Sequence, residues 1–548
     1  MESMETNKYI INKTLSFSMN PKETRLNNNF ALIGSPGSGK THLNSYNIKN
    51  MLDRSHVLID VKGSMSGFLD YFKEHGYKTY HFNLIDVKDS DCYSPLSYVR
   101  QDYESIDILS IANAIFGPIQ SYDPFWDESA TLLLELALTY LYEAFDENKR
   151  DFSKLDKIIN LYQYEDFRED KKIIDVCLDV LKKSGRNRNF DKLHNRINVE
   201  SEKTRSCIVQ SLYTRIHKCL NPEVYQLLSI NEINFQDFLN QKVCLVISIN
   251  DADTSLHNIA GLMVTQLIQF LIRETPLGGA LDIPVQFNLD DCGSYYIRDF
   301  DAILSTARSR GIGFTCLFQS QAQLKKMYGE SYETIMQCFD TIIFFGGNDR
   351  ETVNLIKERS EFTSDYIHTL PIGECFVLRR AMPTDLVPIL DLSNWKVPEH
   401  HLIQRNHKIV QENNQSYKNV DVSHLYEKLK NGTPCVMGHL RRYKENGKEF
   451  QLSLHQIWYL KEMLLLYKSE TDLLLDERMY LETSINNLLK VEKNYELYPL
   501  ETYRMEIVDV KLFDDCVDVI RKCLYEKISK GEQRAPSLLD DDVGHVFP

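Results

Sequence analysis

Two habits of hydrophobic placement alternate along the chain. Short apolar runs of the kind a buried strand shows occur at Phe30–Ile33, Ser55–Asp60, Tyr77–Asn83, Val243–Ile249, Pro284–Leu289, Phe314–Phe318, Thr341–Phe345 and Glu374–Arg379. Helical spacing separates several of them, as over Leu262–Arg273 and over Ile303–Gly311, where a glycine marks the stop. Strands alternating with helices predict an α/β fold with a mostly parallel central sheet, built from residues 1–105 and 233–395. The unbroken apolar run Val243–Ile249 suits a central parallel strand. Between the two halves, over 106–232, Leu132, Leu133, Leu136 and Tyr140 share one helical face and strand signals are few, which predicts an inserted all-α domain. Residues 1–29 are polar, with a short alternation at Leu15–Met19 that fits an edge strand or an arm. Residues 396–418, rich in His and Asn from Gln404 to Ser416, read as a linker. Beyond it, 419–548 is expected to be a mainly helical accessory region, with helical periodicity over Leu454–Val491 and Phe513–Ile528.

Composition narrows the class. A chain of 548 residues with 43% hydrophobic and 26% charged positions is an ordinary globular protein, long enough for about three domains. The net charge of −15 excludes a surface that is basic all over, so contact with nucleic acid would need a local patch or a pore. The 12 cysteines are scattered, without a C-x-x-C pair, and fit reduced core positions. No apolar run approaches the length of a membrane span: Leu132-Leu133-Leu134 ends at Glu135. The expectation is a chain that is soluble by itself.

The candidate chemistry starts at Gly34-Ser35-Pro36-Gly37-Ser38-Gly39-Lys40-Thr41, which fits the phosphate-loop pattern G-x-x-x-x-G-K-[ST] and sits between a strand and a helix. In such a loop the backbone N–H groups cradle phosphates, Lys40 reaches the terminal ones, and Thr41 offers a hydroxyl to magnesium. A nucleotide with Mg2+ is therefore the expected ligand, which the family resemblance below narrows to ATP. The strand Pro284–Leu289 ends in Asp290-Asp291, where one carboxylate can support the metal and its neighbour can orient or deprotonate water. Gln319, just past Phe314–Phe318, can sense a γ-phosphate through the attacking water or simply cap a helix. Asp60 and Lys62 fall at another strand end, equally suited to a ligand or a turn. The clearest basic cluster, Lys182, Lys183, Arg186, Arg188, Lys192 and Arg196 around Phe190, suits either nucleic-acid backbone or a solvated surface.

With these segments in order, the chain resembles the TraG-like coupling ATPases of conjugation and type IV secretion, within the RecA-like (HerA–FtsK) superfamily of DNA-pumping motors. The resemblance rests on the phosphate loop, Asp60-Val61-Lys62-Gly63, Tyr93-Ser94-Pro95-Leu96, Phe125-Trp126, Lys203-Thr204-Arg205-Ser206, Thr306-Ala307-Arg308-Ser309-Arg310-Gly311, Gln319-Ser320-Gln321 and Gly346-Gly347-Asn348-Asp349. It covers about residues 28–395. It implies a RecA-like nucleotide domain, a homo-hexamer when active and a possible monomer at rest, with ATP between subunits. It also implies DNA, relaxosome proteins and a secretion channel as partners. On this pattern Lys40 and Thr41 hold phosphate and metal, Asp290 supports the metal, Asp291 is the catalytic carboxylate and Gln319 the sensor. Arg308 matches an arginine that enters the neighbouring subunit's site.

Three departures shape the expectation. No membrane anchor precedes Gly34, so attachment falls to a protein in trans. Asp291 stands where the family has Glu, which shortens the reach by one methylene and predicts slow turnover. The family's D-P-K-G-E turn is here Asp60-Val61-Lys62-Gly63-Ser64. A nucleotide-dependent scaffold with weak ATPase, or a soluble DNA-processing ATPase of a mobile element or defence system, are the alternatives to a coupling motor.

Overall fold

A computed structural model describes residues 7–117, 124–145 and 202–399, short runs between 147 and 198, and residues 449–453 and 505–509. Its strands in chain order are β1 (Lys8–Ile10), β2 (Ser16–Ser18), β3 (Asn29–Ile33), β4 (Ser55–Asp60), β5 (Lys78–Asn83), β6 (Glu165–Asp166), β7 (Lys171–Lys172), β8 (Val243–Ser248), β9 (Val285–Leu289), β10 (Ile312–Phe318), β11 (Thr341–Phe344), β12 (Glu374–Arg379), β13 (Asp385–Pro388), β14 (Glu449–Ser453) and β15 (Met505–Asp509). A nine-stranded sheet runs β13-β12-β11-β3-β10-β9-β4-β8-β5. From β11 to β5 every pairing is parallel, and β12 and β13 close one edge antiparallel. β13 is a strand that the apolar pattern did not announce.

The order explains how distant stretches of chain meet. From β3 the chain skips two places to β4, and β9 and β10 later fill the gap. Register then aligns Ala31, Cys316 and Leu289 across β3, β10 and β9. The residues just past these strands share one end of the sheet, the end where ligands bind in open α/β sheets. β3, β4, β8, β9 and β10 are buried along their whole length, as expected of parallel strands covered on both faces.

The N-terminal segment resolves to an arm: β1 and β2 pair only with each other. Tyr9 stacks on Phe30 at 4.4 Å, and Ile11, Phe17 and Met19 join the core over β3. Asn47, on the helix Lys40–Asn50, receives the Ile10 N–H at 2.6 Å and donates to the Ile10 carbonyl at 2.9 Å. A helical side chain thus completes the unpaired edge of β1.

Between β5 and β8 the described residues are mainly helical. Helix Pro124–Ala144 buries most of its length and packs against Glu104–Phe116, Phe190–Asn198 and Glu202–Cys219. Among the described residues the departure from an all-α segment is the two-residue pair β6–β7. Residues 1–174 and 185–406 form one compact unit, and 175–184 with 407–548 form another. What is described of the second unit's C-terminal part is the antiparallel pair β14–β15, unlike the helical expectation for 419–548; Leu454–Val491 and Phe513–Ile528 lie outside the described residues, as does the linker beyond 399. Among the described residues no helix is long and apolar enough to cross a membrane.

Candidate nucleotide site

β3 ends at Ile33 and the chain turns through Gly34–Gly39 into the helix Lys40–Asn50. Gly39, the N-cap, has φ 96°, a left-handed conformation that costs a residue with a Cβ more than glycine, and no side chain caps this helix. Its first N–H groups therefore remain for an anion, with the helix dipole behind them. The loop is braced from β11: Ser35 N donates to Gly346 O at 3.0 Å. This gives the Gly346-Gly347 turn a structural task that the sequence pattern alone did not assign. Lys40 Nζ donates to Gly34 O at 2.6 Å and Ser35 O at 3.0 Å, folded over the mouth of its own loop.

The acidic side follows from β9. Asp290 N donates to Ile59 O at 3.3 Å, and Asp290 Oδ1 lies 3.4 Å from Thr41 Oγ1. Burial pushes the Asp290 carboxyl up to about 6, reinforced by Asp60 and Asp291 and opposed by Lys40. Burial also lowers the pKa of Lys40, against the pull of Asp290 and Asp291. Asp291 has φ 43°, in the left-handed region that Asp tolerates better than most side chains. Burial raises its pKa too, and its Oδ1 is buried without a hydrogen bond, as is Ser38 Oγ. Orphaned acceptors facing a phosphate loop are the signature of a site whose charges await a ligand.

The sequence-predicted residues divide cleanly. Lys40, Thr41, Asp290 and Asp291 stand together. Gln319 is exposed past β10, at the same end of the sheet, and its N–H is held by Gln323 Oε1 at 3.0 Å. Gln321, 6% exposed, ties the same segment to Thr352 at 2.9 Å, and Asp349 caps the helix Arg350–Arg359 beside it. The repeated glutamines were visible in sequence; which ones fasten the loop was not. Asp60 is fully buried and accepts from Lys62 N and Ser64 Oγ at 3.2 and 3.3 Å and from Met65 N, so it closes its own turn.

Arg308 lies elsewhere. It sits in a 3-10 turn before β10, at the opposite end of that seven-residue strand from Gln319, about 20 Å away at strand rise. It cannot reach the site of its own chain. In the basic cluster, Arg188 pairs with Glu104 at 2.8 Å, Lys192 and Arg196 are exposed on one helix, and Lys182 is an exposed helical residue. Lys183 and Arg186 lie outside the described residues.

The donor set fits magnesium nucleotide. Thr41 and Asp290 give one hydroxyl and one carboxylate, the sparse protein share that Mg2+ takes when phosphates and waters complete its shell. No denser cluster of potential metal ligands occurs among the described residues. Residues 3–360 match the family of type IV secretory system conjugative DNA transfer proteins. The chain belongs to this family. No curated protein matches it. Among solved structures it is similar to bacterial conjugative coupling protein TrwBdeltaN70 in complex with sulphate, at 16% identity and TM-score 0.50, covering 69% of this chain and 87% of that one. Coupling protein TrwB in complex with an ATP analogue is similar at 15% identity and TM-score 0.52, covering 69% and 89%; TrwB with ADP and Mg2+ is similar at 16% identity and TM-score 0.51, covering 69% and 87%. At these identities the likeness shows the fold. It is the RecA-like nucleotide-binding fold that the family resemblance implies.

Proposed function

We propose that the chain is an ATP-hydrolysing coupling protein that recruits DNA, as a relaxase-bound strand, or protein substrates for transfer through a type IV secretion channel. The observation that carries this reading is the convergence of Lys40, Thr41, Asp290, Asp291 and Gln319 at the ends of three adjacent strands. Bound MgATP would supply the phosphoanhydride to be cleaved and a cation to spread its charge. Lys40 would leave Gly34 O and Ser35 O for the terminal phosphates, as the stronger acceptors. Thr41 and Asp290 would hold the metal side. Asp291 takes a proton from the attacking water, and Gln319 orients that water.

Arg308, remote from its own site, acts across a boundary between copies, which supports a ring, in line with a homo-hexamer, as the working assembly. Lys192 and Arg196 offer a local contact for DNA backbone despite the acidic whole. Relaxosome proteins, the channel and a membrane-anchor protein in trans complete the partners, with the chain on the cytoplasmic side. The left-handed Asp291 supports a second reading, a nucleotide-dependent scaffold with weak turnover.

The test is complementation between two inactive proteins. Arg308→Ala keeps a whole site without a trans arginine, and Lys40→Ala keeps the arginine without a site. Mixing them restores part of the DNA-stimulated hydrolysis if Arg308 works in trans; no restoration at any ratio defeats the ring mechanism. A wild-type protein that binds ATP but does not accelerate with DNA favours the scaffold.

A further inference from the structure

Past β8 the chain turns through Asn250–Asp253 and enters the helix His257–Glu274. His257, in its first turn, is 2% exposed. Its Nε2 lies 2.7 Å from Asn250 O and its Nδ1 3.0 Å from Ser294 O. Asn250 belongs to the loop after β8, and Ser294 to the loop that carries Asp291. Both ring nitrogens therefore face carbonyl oxygens, which only accept, so the ring nitrogen that carries a hydrogen has a fixed backbone partner in either tautomer. The same helix meets the acidic loop again one turn on: a Cβ at Gly261 would come within 2.2 Å of Tyr296 O. Backbone lies on backbone there, and His257 is the donor beside the seam.

Asp291 needs such outside support. Its left-handed backbone and the Ser294 N–H to Asp291 O bond of 2.8 Å make it the start of a tight turn, not part of a strand. Its Oδ1 has no hydrogen bond to hold it. A ring that grips the loop at Ser294 also sets where the carboxylate stands.

We propose that His257 is a positioning residue for hydrolysis, fastening the Asp290–Tyr296 loop to the end of β8 so that Asp291 meets the attacking water. This rests on the reading of Asp291 as the catalytic carboxylate, and the experiment separates the two. In the full-length chain, kcat and KM for MgATP and the Kd of a fluorescent non-hydrolysable ATP analogue are measured for wild type, Asp291→Ala, His257→Phe, His257→Asn and the double variant His257→Phe/Asp291→Ala. His257→Phe lowers kcat about 10- to 100-fold, the range for a catalytic group displaced by an ångström. Its Kd stays within about twofold, since nucleotide contacts are untouched. His257→Asn, which keeps an amide donor, recovers part of the rate and carries the comparison if the Phe variant fails to fold by thermal melting. The double variant is no slower than Asp291→Ala. Wild-type kcat in both His257 variants overturns the inference. So does a parallel loss of Kd and kcat, or a double variant well below Asp291→Ala. Asp291→Ala turning over at the wild-type rate sinks the functional reading itself.

Discussion

At the ends of β3, β4 and β9, Lys40, Asp60, Asp290 and Asp291 crowd together, and burial and mutual repulsion both raise the Asp290 carboxyl. In the helical segment between β5 and β8 the buried carboxylates are instead shared out. Glu143 accepts the N–H groups of Arg188, Asn189 and Phe190 and so caps the helix Phe190–Asn198. Glu104 pairs with Arg188, and Glu135 feels the opposing charge of Arg196. Charge that is already answered holds a fold together. At the strand ends Asp291 Oδ1 stays buried without a hydrogen bond, an acceptor left over for something from solution, and this contrast separates a site from a scaffold within one compact unit.

Removing charge from each region should therefore fail in different ways. The largest effect belongs to Lys40→Ala: hydrolysis falls at least about 100-fold, the scale for removing one preorganised electrostatic interaction, while the melting temperature holds. Unchanged ATPase activity in that variant would abolish the nucleotide assignment. Glu143→Ala should do the reverse. It leaves three N–H groups without their acceptor and costs about 1–3 kcal/mol in urea unfolding, with nucleotide affinity unchanged. If affinity fell with stability, the two regions would not be separable.

Next in size is Asp291→Glu. The longer acid reaches one methylene further but must adopt φ near 43°, where Asp is favoured over a longer side chain. We expect turnover to rise and stability to drop by about 1 kcal/mol, read as kcat and the urea midpoint. A slower enzyme would mean that the loop is matched to the shorter acid.

A subtler contrast concerns pH. Burial pushes Glu135 up to about 7, with Arg196 opposing, against about 4.3 in an unfolded chain. The folded state therefore binds the proton more tightly: its advantage is complete below about pH 4.3 and is lost as pH rises through 7. Glu135→Gln removes the titration, so its melting temperature should gain on wild type between pH 5 and pH 8. A constant difference across that range would show that Glu135 titrates normally. The smallest effect is expected of Lys192→Ala with Arg196→Ala: stability within about 0.5 kcal/mol of wild type. If the patch meets DNA backbone, the salt slope of DNA binding drops by about one for each phosphate that is no longer neutralised.

The same contrast decides what could be read in the sequence. Strand ends were legible because buried parallel strands leave long apolar runs, and Gly34–Thr41, Asp290 and Gln319 follow them immediately. The distance of Arg308 from the site of its own chain became visible only when β10 placed it at the far end of the sheet. β13 escaped notice because Asp385–Pro388 is an edge strand, half exposed, with little apolar signal. His257 left no motif at all. Its partners are two backbone carbonyls, and a carbonyl is present at every residue. In the helical segment Arg188 counted toward a basic patch, yet tertiary packing gave it to Glu104, 84 positions away in sequence.

The clasp between Asn47 and Ile10 has one more consequence. Because the Ile10 N–H is held by the nucleotide helix and not by a neighbouring strand, its exchange with deuterated solvent is gated by that helix. The N-terminal arm thus carries a remote gauge. Ligand that tightens Lys40–Asn50 should slow exchange at an amide 30 residues before the lysine, with no contact between them.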